Sequence, residues 1–599
     1  MDRNPLVRDR DVAFLLDEVL ELDALLALPA FAEHSRETCD LVLIGAARFA
    51  RDVLYPTYRS VDESPPRFEN GRVRVHERLR AVYPELSQLG LVVAARPPDV
   101  GGVGLPFVVS TLASAYLMAA NLSAYGYVGL SAGAAHLLEV FGDARLHAEY
   151  MAPIYEGRWT GTMALTEPGA GSSLADVATL AARAEDGSYR LRGAKIFISG
   201  GDHDLAENIV HMVLARIDDP TTPPGTRGVS LFCVPKRRVT GGGLVDNDVA
   251  VTGVIHKIGW RGLPSVALAF GERGDCHGYL VGEPHRGLAA MFQMINEARI
   301  MVGVNGFATA SVAFHESLAY ARVRRQGRAP TAKDPTTPQL PIIRHADVRR
   351  MLLRQKAIVE GSLALLARTA MLVDRAEHGA TDVERARAKR LLDLLTPIAK
   401  SFPAERGFES NVLALQIHGG YGYSSEYPLE AWLRDQKLNS LHEGTTGIQA
   451  LDLLGRKVMA DGGAALALLS EEIEAAVGAA RRAGLARWAD ALALSVRALA
   501  SLTAELGARG ASGDVSRMLL HATEYLDAFG VVVVAWQHLA MATAALAKPG
   551  RDEEDSAYRA GKVRAMEYWL ETELPRAEST MAVVRAGGEA FTAIDDTAF

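Results

Sequence analysis

Cysteine is scarce. Cys39, Cys233 and Cys276 are the only three in 599 residues, too far apart to suggest a disulfide framework or a thiolate metal site. They read as packing residues of a protein kept in a reducing compartment. An excess of positive charge is missing too: the formal charge is −8 and the pI about 6.1, which removes the footprint of a polyanion binder. No GxGxxG follows a strand and opens a helix, so a dinucleotide-binding Rossmann domain is not expected. Internal repeats and low-complexity tracts are absent as well. The opening MDRNPLVRDRDVAFLL mixes both signs of charge and lacks a continuous apolar core, unlike a secretory or transit leader, and the expected location is cytoplasmic. The most apolar window, FGVVVVAWQHLAMATAALA at 529–547, carries Gln537 and His538 at its centre. It is expected to be a buried helix and not a membrane span.

A chain this long exceeds what one core organises, since single cores stop growing near ~250–300 residues. Its 49% hydrophobic and 23% charged residues are ordinary for a folded protein. Residues 1–160 carry helix-length apolar patterns at 12–28, 37–54, 107–124 and 129–141, broken by DESPP (62–66) and RPPDVGGVGLP (96–106). Residues 161–286 hold short β-branched runs between turn formers, at 161–165, 189–191, 195–198, 209–217, 229–234, 249–258, 266–270 and 278–281. From 287 to 461 the helical period returns, with Val348, Leu352, Val359, Leu363, Leu366, Ala370 and Val373 on one face. A Pro-rich insert, 326–341, interrupts that block, and an Ala-rich helical block fills 462–599. The predicted fold is mainly α with a small central antiparallel β-domain, in four domains: 1–160, 161–286, 287–461 and 462–599.

Two stretches carry chemistry. In RDQKLNSLHEGTTGIQ (434–449), Thr446 and Gln449 have capping-box spacing. A helix is therefore predicted from Thr446, with Glu443 just outside it beside Gly444, where the backbone can approach a ligand. In MALTEPGAGSS (163–173), Pro168, Gly169 and Gly171 force a turn after a strand. Its N–H groups either close a hairpin or face a ligand.

These motifs, in this order and roughly 270 residues apart, resemble those of the acyl-CoA dehydrogenase family. The likeness runs from about Leu89 to Lys457. The remainder resembles the longer subgroup with an extra C-terminal helical domain, which includes 3-methylmercaptopropionyl-CoA dehydrogenases. The resemblance implies an α-domain, a β-domain and a four-helix C-domain plus the additional helical domain. It also implies FAD, an acyl-CoA substrate, at least a homodimer, and an electron-transferring flavoprotein as electron acceptor. Glu443 would abstract the α-proton while flavin N5 takes the β-hydride, giving the trans-2-enoyl-CoA of fatty acid β-oxidation.

By the same resemblance Met163, Leu165, Thr166, Gly171 and Ser172 contact the flavin, and Ser172 also reaches the CoA portion. Phe197, Ile198 and Ser199 occupy a Trp-Ile-Thr position, where a ring can shield the flavin and a hydroxyl can donate to it. Arg324 matches an arginine on the FAD pyrophosphate, where a guanidinium fork suits phosphate. Gln326 stands beside it, where the family usually has Phe-Gly. Gln416, Gly419 and Gly420 match a QIxGG segment that contacts FAD from the neighbouring subunit. Thr445 and Thr446 serve the cofactor, cap the helix, or do both. Arg299 and Gly444 join Ser172 and Glu443 as substrate-binding residues. No metal is expected.

Chemistry gives an independent reason for a flavin. Oxidising a thioester across its α and β carbons removes a hydride that no side chain accepts, and no nicotinamide fingerprint is present. The proton needs a base, and a glutamate with its usual pKa of about 4.3 serves only in a dry site. Two other readings share the likeness: an acyl-CoA oxidase that reoxidises its flavin with O2, and a non-catalytic DNA-associated homologue. Residues 461–599 carry 13 Lys+Arg against 20 Asp+Glu, which argues against nucleic acid as a partner.

Overall fold

The structure, a computed structural model, describes residues 4–293 and 295–599. The chain divides into two compact units, residues 37–298 and residues 1–36 with 299–599.

The unit 37–298 opens with helices. Phe107–Ala120 is buried on nearly every side, which is why its apolar residues show so little periodicity. Asn121 separates it from Leu122–Phe141, its side-chain oxygen accepting from the Ala124 N–H at 3.1 Å. The two helices expected over 107–124 and 129–141 thus meet at an N-cap asparagine. A hairpin, Arg67–Glu69 with Arg72–Arg74, interrupts the expected helical stretch. Asn70 and Gly71 at its tip both have positive φ, the Asn-Gly turn that favours hairpins.

An eight-stranded sheet follows, in the order Val249–Val254, Ser265–Phe270, Tyr189–Ser199, His277–Val281, Val229–Pro235, Ile209–Ile217, Thr160–Ala164, with Leu180–Arg183 paired to two of these strands. The sheet is mixed, not wholly antiparallel as expected: Thr160–Ala164 and Leu180–Arg183 both run parallel to Ile209–Ile217. A parallel pair needs a crossover connection, and tens of residues separate these strands in sequence. Ile198, Val213, Phe232, Val266 and Phe270 form part of its buried core.

In the second unit, the long helices Ala346–His378 and Asp382–His418 pack along each other, and Leu429–Lys437, just before the EGT loop, packs on the second of them. The last block adds Ala464–Arg482, Ala486–Ala511, Ala522–Ala547, Glu553–Tyr568 and Leu574–Ala586. Ala486–Ala511 and Ala522–Ala547 are long and apolar enough to cross a membrane, and the second is mostly buried within its unit. Each of its two central polar residues has one partner there. His538 Nε2 lies 3.0 Å from the Ala357 carbonyl oxygen, and Arg368 donates to the Gln537 side-chain oxygen at 2.9 Å. The first residues pack with this block: Asp11 pairs with Lys562 and Phe14 meets Tyr558 edge to face.

Candidate active site

Glu443 and Gly444 are both left-handed, with φ of +52° and +84°, and together they reverse the chain before the helix Thr446–Asp452. At Glu443 this geometry costs roughly 1–2 kcal/mol. At Gly444 a Cβ would also stand 2.6 Å from Gln449 Nε2, so the position requires glycine. The cap differs by one residue from the expectation. Thr445 is the N-cap, its hydroxyl accepting from the Ile448 N–H at 3.3 Å, while the Thr446 hydroxyl donates to the Glu405 carboxylate. Gln449 folds back and donates to the carbonyls of Glu443 and Gly444 at 3.1 and 3.3 Å. The capping-box spacing thus marks a real turn, but Gln449 closes it through carbonyl oxygens.

The Gly444 carbonyl has a second donor, Lys400 Nζ at 2.9 Å. Lys400 is wholly buried in the helix Asp382–His418, between Pro397 and Pro403. The helix Ile295–Val323 passes close by: a Cβ at Gly303 would lie 2.1 Å from the Ala399 carbonyl oxygen. One turn before Gly303, on the same face, Arg299 is only 4% exposed. Its Nη1 is 2.5 Å from Asp452 Oδ2, and Arg456 holds the other oxygen of Asp452. Its Nε is buried with no hydrogen-bond partner among the described residues. Arg299 is therefore a half-neutralised cation with one donor left over.

Glu443 is exposed at the tip of this turn, yet protein atoms crowd its carboxyl enough to strip it of part of its water. Loss of water pushes its carboxyl above the usual carboxylate range, and the charges of Lys400 and Arg299 pull it only part of the way back. Burial in turn brings Lys400 down to about 8, opposed by Glu405 and Glu443.

The same unit holds a cavity of about 520 Å³ whose walls include Tyr320, Arg324, Gln326, His418, Gly419 and Gly420. Four of the expected cofactor residues thus converge, while Gln416, in the last turn before His418, does not line it. Arg324 is exposed and has no ion-pair partner among the described residues. The His418 ring stacks on Tyr320 with centroids 4.1 Å apart, and its Nδ1 meets the Ala414 carbonyl at 2.9 Å. Burial lowers the pKa of this imidazole, and the neutral ring that donates from Nδ1 presents Nε2, which has no partner, as a bare acceptor.

In the unit 37–298, Met163 sits on the strand Thr160–Ala164, and Leu165 and Thr166 follow it. Glu167 and Ala170 exchange backbone hydrogen bonds of 3.0 and 3.1 Å, closing a turn with Pro168 and Gly169 at its tip and Gly171 and Ser172 exposed beyond it. The Ile196 N–H donates to the Thr166 carbonyl at 2.9 Å. Phe197 has φ +62° and is 61% exposed, a strained and outward-facing aromatic. Ile198, by contrast, points its side chain into the sheet core, which leaves its backbone for any contact with a cofactor. Ser199 is half-buried.

The segments 165–172 and 195–199 are tied together by residues that motif reading passed over. Lys195 Nζ donates to the Leu165 carbonyl at 3.0 Å and to Glu167 at 2.7 Å. The Glu167 carboxylate also takes the Thr179 hydroxyl at 2.6 Å and the N–H groups of Ala178 and Thr179. Burial alone would raise this carboxyl, but its donors outweigh that and hold it below the usual range. The signal for Lys195 and Lys400 was available: each is a lone lysine inside an otherwise apolar run.

A desolvated glutamate on a glycine loop is suited to accept a proton, and an unpaired guanidinium lining a cavity is suited to hold an anion. The comparisons make the class specific. Models of the acyl-CoA dehydrogenase N-terminal, middle and C-terminal domains match residues 37–158, 162–272 and 285–459. A model described as acetyl-CoA dehydrogenase C-terminal like matches 469–595. The chain is 38% identical to a 3-methylmercaptopropionyl-CoA dehydrogenase of Ruegeria pomeroyi, over 91% of this chain and 92% of that one. It is 35% identical to a broad-specificity linear acyl-CoA dehydrogenase of Mycobacterium tuberculosis, over 98% and 99%. A Bacillus anthracis acyl-CoA dehydrogenase solved with FAD shares the fold at a TM-score of 0.72 and 20% identity, over 97% of this chain and 95% of that one. The chain belongs to the acyl-CoA dehydrogenase family. It is an FAD-dependent oxidoreductase of acyl-CoA thioesters, and these relatives, all dehydrogenases, lend no support to the oxidase or DNA-associated readings.

Proposed function

We propose that Glu443 is the base that removes the α-proton of a saturated acyl-CoA, and that the product is the trans-2-enoyl-CoA. The carrying observation is the carboxyl itself: raised by desolvation, set on a strained two-residue turn, and flanked by Lys400 and Arg299. A carboxylate deprived of water is a stronger base, and an acyl chain bound over it removes more water. As the proton moves from Cα to Glu443, negative charge grows on the thioester oxygen, where the Glu443 backbone N–H is placed by the resemblance to receive it. Arg299, with its spare Nε, adds positive potential on the same side of the loop. When bound, FAD supplies the hydride acceptor for the β-carbon.

The residues present fit that cofactor. The unpaired Arg324, the Gln326 amide and the backbone of Gly419 and Gly420 suit a pyrophosphate, and the Tyr320–His418 stack with its free Nε2 suits an aromatic base. By the resemblance Met163, Leu165, Thr166, Gly171, Ser172, Phe197, Ile198 and Ser199 also contact the flavin, with Ser172 reaching CoA as well. The reading extends to a cytoplasmic homodimer that contributes to β-oxidation and passes electrons to an electron-transferring flavoprotein. Its test is a panel of saturated acyl-CoAs, from four to twenty carbons with branched and thioether chains, each mixed anaerobically with the yellow holoenzyme. The proposal expects flavin bleaching and a 2-enoyl product with at least one of them. A protein that refuses FAD, or never bleaches with any thioester, overturns it.

A further inference from the structure

We propose that Lys400 is a positioning residue for the catalytic base: its ammonium holds the Gly444 carbonyl, and with it the strained turn at Glu443, while its charge sets how readily Glu443 gains a proton. This rests on the reading of Glu443 as the base. The geometry is unusual for a lysine. The side chain is fully buried, yet its hydrogen bond is to a backbone carbonyl, with no carboxylate ion pair among the described residues. Burying an ammonium is costly unless something compensates, and here the compensation comes from the charge of Glu405 and from the EGT loop. The helix Asp382–His418 fixes Lys400 between two prolines, so it delivers its charge from a rigid element to a turn whose two left-handed residues would otherwise relax. Gln449 Nε2 shares the same carbonyl at 3.3 Å, but as a neutral donor it supplies no charge.

The charged groups around Glu443 leave Lys400 a distinct part. From the helix Ile295–Val323 comes Arg299, which Asp452 of the helix Thr446–Asp452 largely neutralises, Asp452 being shared with Arg456. From the helix Asp382–His418 come Lys400 and Glu405, and Glu405 is engaged by the Thr446 hydroxyl. His442 precedes the base in its own segment. Lys400 is the cation there without a carboxylate partner. Opposite charge favours the ionised carboxylate, so Lys400 keeps Glu443 deprotonated, ready to accept, in a site whose dryness would otherwise protonate it.

Two substitutions separate the functions. Lys400→Gln keeps a donor for the Gly444 carbonyl and drops the charge; Lys400→Met drops both. The readouts on FAD-loaded protein are the carboxyl stretch of Glu443 by infrared difference against Glu443→Gln, titrated with pH, and the pH profile of kcat. Both variants are expected to move the Glu443 midpoint and the acid limb of kcat to higher pH by roughly one unit, a tenfold change in proton affinity. Lys400→Met alone should also lower kcat at the plateau with little change in KM. Lys400→Arg should restore the midpoint. If Lys400→Gln holds its FAD and its infrared midpoint stays where the wild type has it, the inference is overturned. An active Glu443→Gln would instead sink the base assignment, and the infrared titration would still report on Lys400.

Discussion

Asp11 and Lys562, 551 residues apart in sequence, form a buried ion pair with Nζ 2.7 Å from Oδ1. The same ammonium lies 3.0 Å from Glu360, and the Tyr558 hydroxyl donates to Asp11 at 2.7 Å. This cluster fastens the start of the chain to its last helices. Burial alone would raise the Asp11 carboxyl, but Lys562 and Lys356 hold it well below the usual range. Lys562 is raised, with Asp11 and Glu360 outweighing the burial that would lower it.

Removing Lys562 leaves Asp11 buried with the Tyr558 hydroxyl but without its ion pair, so Lys562→Met should destabilise by about 3–5 kcal/mol, seen as a lower apparent melting temperature. The pH dependence has a definite sign. A depressed Asp11 contributes stability that is complete above its unfolded pKa of about 3.9 and is lost as pH falls through the folded value. Lys562 contributes stability that is complete below about 10.4 and is lost as pH rises through its own folded value. The gap between wild type and Asp11→Asn should therefore be widest near neutrality and shrink below about pH 4. A gap independent of pH would mean that the pair does not lock the segment.

Lys195→Met should free the turn 165–172 from the strand beneath it. The expected outcome is a folded protein that retains less FAD on gel filtration, because Thr166, Ser172 and Phe197 would lose their fixed spacing. Full FAD content with an unchanged melting temperature would contradict that role for the Glu167–Lys195 pair.

Arg324→Ala should weaken FAD retention without destabilising the apoprotein, since Arg324 makes no ion pair within the described residues and its removal breaks none. A hydrogen-bonded charged contact is worth roughly 1.5–3 kcal/mol, about tenfold to a hundredfold in FAD affinity. An unchanged yellow yield would count against the pyrophosphate assignment.

What the sequence disclosed was the backbone chemistry of turns and the period of buried faces. HEGTTGIQ located a strained loop at a helix start, and the strand Ile209–Ile217 fell where β-branched residues ran together. The Arg67–Arg74 hairpin had its Asn-Gly signal, overshadowed by the helical texture around it. Parallel pairing of Thr160–Ala164 with Ile209–Ile217 could not be read, because pairing partners are set by tertiary contacts and not by local pattern. The same holds for Lys400, 43 residues before the glutamate it serves, and for Arg299, whose partner Asp452 only the fold reveals. Ile198 illustrates the opposite limit. The motif gives its place in a segment, and strand alternation, which puts neighbouring side chains on opposite faces, decides that its side chain is buried in the sheet.

The most direct measurement is stopped-flow reduction of FAD-loaded Glu443→Gln by an acyl-CoA that bleaches the wild type, under anaerobic conditions. The substitution is nearly isosteric, so FAD content and thioester binding should match the wild type. Bleaching should slow by about 10²–10⁴-fold, the range a positioned base contributes. Reduction at close to the wild-type rate, with full FAD occupancy, would show that another group takes the proton.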